Sequence, residues 1–127
     1  MKILLVDDDK IMRKLLSLYL SEGGFSVVTA ENGLNAMEKL GSDVFDLVMT
    51  DLIMPFMDGV EFVKTMKSNP ATSHIPIIML SAVTDGDEKE RAIQAGADGY
   101  LQKPVTAEEM AAKVRQMLKE SSAKGVK

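Results

Sequence analysis

The sequence predicts one doubly wound α/β domain, a parallel sheet with helices packed on both faces. Three observations carry that expectation. Short apolar runs of strand length alternate five times with stretches of helical period. Several of those runs are apolar throughout instead of alternating, as parallel strands covered on both sides are. A chain of 127 residues with 46% hydrophobic content is enough for a single layered core.

The first run, Ile3 to Val6, ends at Asp7-Asp8-Asp9. Ile11, Met12, Leu15, Leu16 and Tyr19 then recur at helical spacing, which assigns them to core packing, with a partner-binding edge as the lesser alternative. Ser21-Glu22-Gly23-Gly24 turns the chain into the second run, Ser26 to Ala30, and Asn32 stands where it can cap the second helix. The third run, Asp46 to Thr50, leads to Asp51 and the third helix, with Asp58 before Gly59 as a cap or turn. Pro70 to Pro76, which holds the single histidine, His74, is a surface loop before the fourth run, Ile75 to Leu80. Gly96 can end the fourth helix, and Gly99 to Leu101 form the fifth run. Thr106-x-x-Glu109 is a capping box opening a last helix with Met110, Val114, Met117 and Leu118 on one face. The domain is expected over residues 1–120, with 121–127 a flexible C-terminal tail or linker stub.

Composition removes several classes of function. A net charge of −4 with scattered lysines and arginines argues against direct binding of nucleic acid, which needs a basic stripe. With no cysteine there is neither a disulfide framework nor a thiolate zinc site, so any metal must sit on oxygen. Met1 to Val6 begins like a signal peptide, but the aspartates end the apolar run too early. No run reaches membrane-spanning length, and the expectation is a soluble, cytoplasmic protein without membrane insertion. The ten methionines are read as core filler.

In an open parallel sheet, ligands bind outside the carboxyl ends of the strands, near the point where strand order reverses. Asp7, Asp8 and Asp9 follow the first run, Asp51 the third, Ser81 the fourth, and Lys103-Pro104 the fifth. Carboxylates from two strands meeting at one edge repel each other unless a cation lies between them. A donor set of hard oxygens points to magnesium. Nucleotide binding fails on the same residues, because the loop after the first run has no glycine and three carboxylates there would repel phosphates. Singly, each acid has a plainer reading: Asp9 serves equally well as a helix cap. The set, one group per strand end, is what points to a site.

Val6-Asp7-Asp8-Asp9, Asp51-x-x-Met54-Pro55-x-x-Asp58-Gly59, Ser81-Ala82 and Gly99-Tyr100-Leu101-x-Lys103-Pro104 together resemble the receiver domains of two-component response regulators, of the single-domain chemotaxis type. The resemblance covers about residues 2 to 120 and implies a flavodoxin-like sheet in the order 2-1-3-4-5. It implies that Asp51 is the phosphoacceptor and that Asp7, Asp8, Asp51 and the backbone carbonyl of Ile53 hold Mg2+. It also implies that Lys103 and Ser81 contact the phosphoryl group, that Ser81 and Tyr100 switch on phosphorylation, and that the Lys103-Pro104 bond is cis. The physics agrees with the main roles: a carboxylate can form an acyl phosphate, and Lys103 offers a point charge to it. The plainer reading of Tyr100 is a partly buried edge-strand aromatic.

His74 sits at the wrong end of the sheet to be the phosphodonor, so the implied partner is a sensor histidine kinase or a histidine phosphotransfer protein, touching the first helix near Met12 and Leu15. Output to a downstream protein target is implied on the face of the fourth helix, fifth strand and fifth helix. In receivers, the side chains two places after the phosphoacceptor and two after the Ser/Thr flank the hydrolytic water. Here they are Ile53 and Val83, neither able to hydrogen-bond it, which implies a long-lived phosphoryl group. The chain is thus read as a switch that catalyses its own phosphorylation and dephosphorylation, not as a conventional enzyme. A haloacid-dehalogenase-like phosphatase would want a second aspartate two residues after the nucleophile, where Asp51 has Ile53. A purely structural module would leave the acid cluster idle. No effector motif follows Lys119, so the protein either stands alone or belongs to a longer chain.

Overall fold

A computed structural model describes residues 1–127 except 53, 55, 83–85 and 126–127; the side chains of Glu88 and of residues 121–125 also lie outside the description. The elements run β1 (Lys2–Val6), α1 (Lys10–Glu22), β2 (Ser26–Ala30), α2 (Gly33–Ser42), β3 (Leu47–Asp51), α3 (Gly59–Ser68), β4 (Ile77–Ser81), α4 (Gly86–Ala95), β5 (Gly99–Gln102) and α5 (Ala107–Gly125). All strand pairs are parallel, in the order β2-β1-β3-β4-β5.

Alternate residues of each central strand enter different cores, which is why the strands read as unbroken apolar runs. Leu4, Val6, Val48, Ile77 and Met79 pack with α2, α3 and α4 residues such as Ala36, Phe62, Met66 and Ala92. Ile3, Leu5, Leu47, Met49, Ile78 and Leu80 pack with Leu16 and Leu20 of α1 and with Met110, Val114 and Met117 of α5.

The caps stand where the sequence placed them. Asp9 accepts from the Ile11 and Met12 amides, Asn32 from Asn35, and Asp58 from Glu61. Thr106 and Glu109 exchange the reciprocal bonds of a capping box. Gly96 follows α4 at φ +119, a conformation that favours glycine.

Several boundaries and one face differ from expectation. β4 begins at Ile77, not Ile75, because Pro76 has no amide hydrogen for the ladder; its carbonyl accepts from Val48 instead. β3 starts one residue late and carries Asp51 as its last residue, paired with Leu80. α5 runs as helix to Gly125. On α1, Ile11 is 81% exposed rather than in the core, because the helix turns its Leu16 and Leu20 line to the sheet. No described helix is long and apolar enough to cross a membrane.

Candidate functional site

The sheet order reverses on either side of β1, so the crevice between the carboxyl ends of β1 and β3 is the natural ligand position. The register aligns those ends: Val6 pairs with Thr50, Asp51 with Leu80, and Ser81 with Gln102. Asp7, Asp51, Ser81 and Lys103 therefore leave neighbouring strands in one row.

Asp7 is held at every polar group. Its amide donates to the Ala30 carbonyl (3.1 Å) and Oδ1 accepts from the Asp9 amide (2.9 Å). Oδ2 accepts from Lys103 Nζ (3.3 Å), and its carbonyl accepts from Arg13 Nη1 (2.7 Å). Only 1% of the residue is exposed, so without these partners the buried carboxylate would be very costly. Lys103 Nζ also lies 3.4 Å from Asp51 Oδ2, bridging the two acids. The Lys103 amide donates to the Ser81 carbonyl (2.8 Å), which ties β5 to the end of β4. The Lys103-Pro104 bond is cis.

Burial pushes the Asp51 carboxyl above the usual carboxylate range; the Lys103 charge pulls against that rise, and the Asp7 carboxylate adds to it. The Leu52 amide, donating to Oδ1 at 2.8 Å, also favours the ionised form.

One carboxylate oxygen from each of Asp7, Asp8 and Asp51 falls within 4.8 Å of the other two. Three carboxylates against one ammonium leave a formal −2, the charge that a divalent cation cancels. The donors are all hard oxygens, as magnesium prefers. Asp9 stands outside this group and is occupied as the α1 cap.

The site thus brings together Asp7, Asp8, Asp51 and Lys103, with Ser81 buried beside them. Ile53 and Val83 lie outside the described residues, so the predicted carbonyl ligand and both lifetime positions have no structural description. Tyr100 is half-buried on β5, packed against the α2–α3–α4 core. On α1, Leu15 is exposed, whereas Met12 is half-buried against the other core; the apolar surface of this helix is carried by Ile11, Leu15 and Leu18. His74 is exposed in the loop before β4, at the opposite end of the sheet.

Sequence reasoning missed Arg13, whose guanidinium fastens α1 to the acidic loop, and Thr50, a fully buried hydroxyl that donates to the Asp51 carbonyl (3.1 Å). Arg13 stands one helical turn after Asp9, a spacing that returns its side chain toward the loop. That was the available signal.

The sequence profile of the response regulator receiver domain matches residues 3–115. The chain belongs to that family. Among relatives, this receiver is 38% identical over 119 residues to the response regulator MprA of Mycobacterium avium, an alignment covering 94% of this chain and 51% of MprA. It is 39% identical over 103 residues to the gliding motility regulatory protein of Myxococcus xanthus, covering 81% of this chain and 13% of that protein. The receiver therefore spans about half the length of MprA and less of the gliding regulator. Among solved structures it is similar to chemotaxis protein CheY4 of Vibrio cholerae, with TM-score 0.86 and 34% identity over 91% of this chain and 97% of that one. It is also similar to the receiver domain of the sensor histidine kinase PA1611 of Pseudomonas aeruginosa, with TM-score 0.86 and 25% identity over 92% and 96% of the two chains. That structure has a magnesium ion coordinated in its active-site cleft.

Proposed function

We propose that this receiver accepts a phosphoryl group on Asp51 in a magnesium-dependent reaction and responds by changing its output surface. The observation that carries the reading is the grouping of Asp7, Asp8 and Asp51 with Lys103 bridging two of them, a nucleophile and its charge partners at one crevice.

Asp7, Asp8 and Asp51 would hold magnesium, together with the Ile53 carbonyl expected from the family. Bound there, the ion supplies charge neutralisation for the phosphoryl oxygens. A carboxylate oxygen of Asp51 forms a bond to phosphorus. The P–N bond of a phosphohistidine, or the P–O bond of a small acyl phosphate, breaks and its electron pair leaves with the donor. Lys103 then pairs with the new phosphoryl oxygens instead of the Asp51 carboxylate, and the Ser81 hydroxyl moves to donate to one of them. This local charge change is what turns Tyr100 inward and remakes the face of α4, β5 and α5.

His74 lies at the far end of the sheet and cannot reach Asp51, so the donor lies outside this receiver: a sensor histidine kinase or histidine phosphotransfer protein, docking on α1 near Met12 and Leu15. Output passes to a downstream protein target. The receiver unit is residues 1–120, and its place is the cytoplasm.

Labelling with acetyl phosphate in saturating magnesium tests the assignment. Wild type is expected to take up one phosphoryl group and Asp51→Asn none; undiminished labelling of the variant overturns the site.

A further inference from the structure

α4 is lightly embedded. Among its described residues only Ala92 is fully buried, and Ile93 is left 46% exposed. Yet the exposed Lys89 of this helix places Nζ 5.3 Å from the centroid of the Tyr100 ring. Tyr100 lies on β5 opposite Met79, and two residues further on Gln102 pairs with Ser81. Ser81 closes β4, and α4, which carries Lys89, starts at Gly86. The ammonium thus lies over the ring of one residue read as the switch, on the helix that follows the strand closed by the other.

A cation is attracted to the face of a tyrosine ring by the ring quadrupole. A contact shifts a two-state equilibrium only if it differs between the states. Lys89 is exposed and Tyr100 half-buried, so a ring that turned further inward would withdraw its face from the ammonium. We propose that Lys89 is a positioning residue for the switch: it latches Tyr100 in the half-buried orientation and so opposes the inward turn. The inference rests on the reading of Tyr100 as the switch residue. An exposed contact of this kind corresponds to roughly a two- to fivefold change in the equilibrium constant.

The chain has two tyrosines and no tryptophan, so Tyr19→Phe leaves Tyr100 as the sole fluorescent reporter. In that background, magnesium and beryllofluoride, a phosphoryl mimic, are titrated into wild type, Lys89→Met and Lys89→Arg, following Tyr100 fluorescence and its ring NMR signals. Lys89→Met is expected to bind beryllofluoride roughly two- to fivefold more tightly, with free-state ring signals displaced toward the bound ones. Lys89→Arg, which keeps a cation over the ring, should behave as wild type. A normal Tyr100 response in wild type with unchanged affinity and ring signals in Lys89→Met overturns the latch and leaves the switch reading standing. Equal tightening in both variants also overturns it, since the charge is then irrelevant. A Tyr100 that does not respond to beryllofluoride in wild type removes the switch reading and the latch together.

Discussion

Gly59 presses directly on the backbone of Asp51: a β-carbon there would overlap the Asp51 carbonyl oxygen and lie 2.8 Å from the Leu52 α-carbon. The Gly59 amide donates to the Leu52 carbonyl at 2.7 Å, so the first residue of α3 is bound to the chain leaving β3. Gly59→Ala must push the strand end away, because the three nearest atoms it meets are all backbone. It is expected to cost about 1–3 kcal/mol of stability and to slow acetyl phosphate labelling by displacing Asp51. Urea unfolding and labelling rates check this; a variant equal to wild type in both would show that the loop relaxes freely.

Asp51 costs stability. Its folded-state pKa is raised, by burial first, so the fold favours the protonated acid. The associated stability is fully present below the unfolded value, about 3.9, and is lost as pH rises through the folded value. At pH 7 the ionised group therefore works against folding, and Asp51→Asn should be the more stable protein. That advantage should shrink as pH falls into the carboxylate range. Urea midpoints of both proteins from pH 3 to pH 8 measure it; a less stable Asn variant at pH 7 contradicts the argument.

Lys103 bridges Asp7 and Asp51 while only 14% exposed. Lys103→Met leaves a buried carboxylate uncompensated and is expected to destabilise the fold at pH 7 by about 2–4 kcal/mol. Magnesium should recover part of that loss, by mass action on a site whose repulsion has grown. In wild type, chelation should stop labelling and leave unfolding cooperative, because two independently packed cores hold the fold. Thermal melts with magnesium and with chelator decide both points.

The lifetime of the phosphoryl group is expected to be long, since Ile53 and Val83 offer no hydrogen bond to an attacking water and positioning of that nucleophile limits hydrolysis. An Ile53→Asn, Val83→Glu double variant should lose label faster than wild type under saturating magnesium. Equal or slower decay would show that these side chains do not set the rate.

Periodicity and strand-end chemistry were enough to read the five βα units, the four capping residues, and Asp7, Asp51, Ser81 and Lys103 as candidates, because these depend on local pattern and on which residue follows a strand. Three features were decided only by tertiary packing. The rotation of α1 left Ile11 exposed and drew Met12 inward, a choice between two apolar stripes that the heptad-like spacing does not distinguish. The Arg13 bond to the Asp7 carbonyl fixes the end of a long flexible side chain, which its spacing one turn after Asp9 permits but does not select. Lys89 on α4 meets Tyr100 on β5, the next element, and a contact between long side chains depends on where the backbone of each element comes to rest.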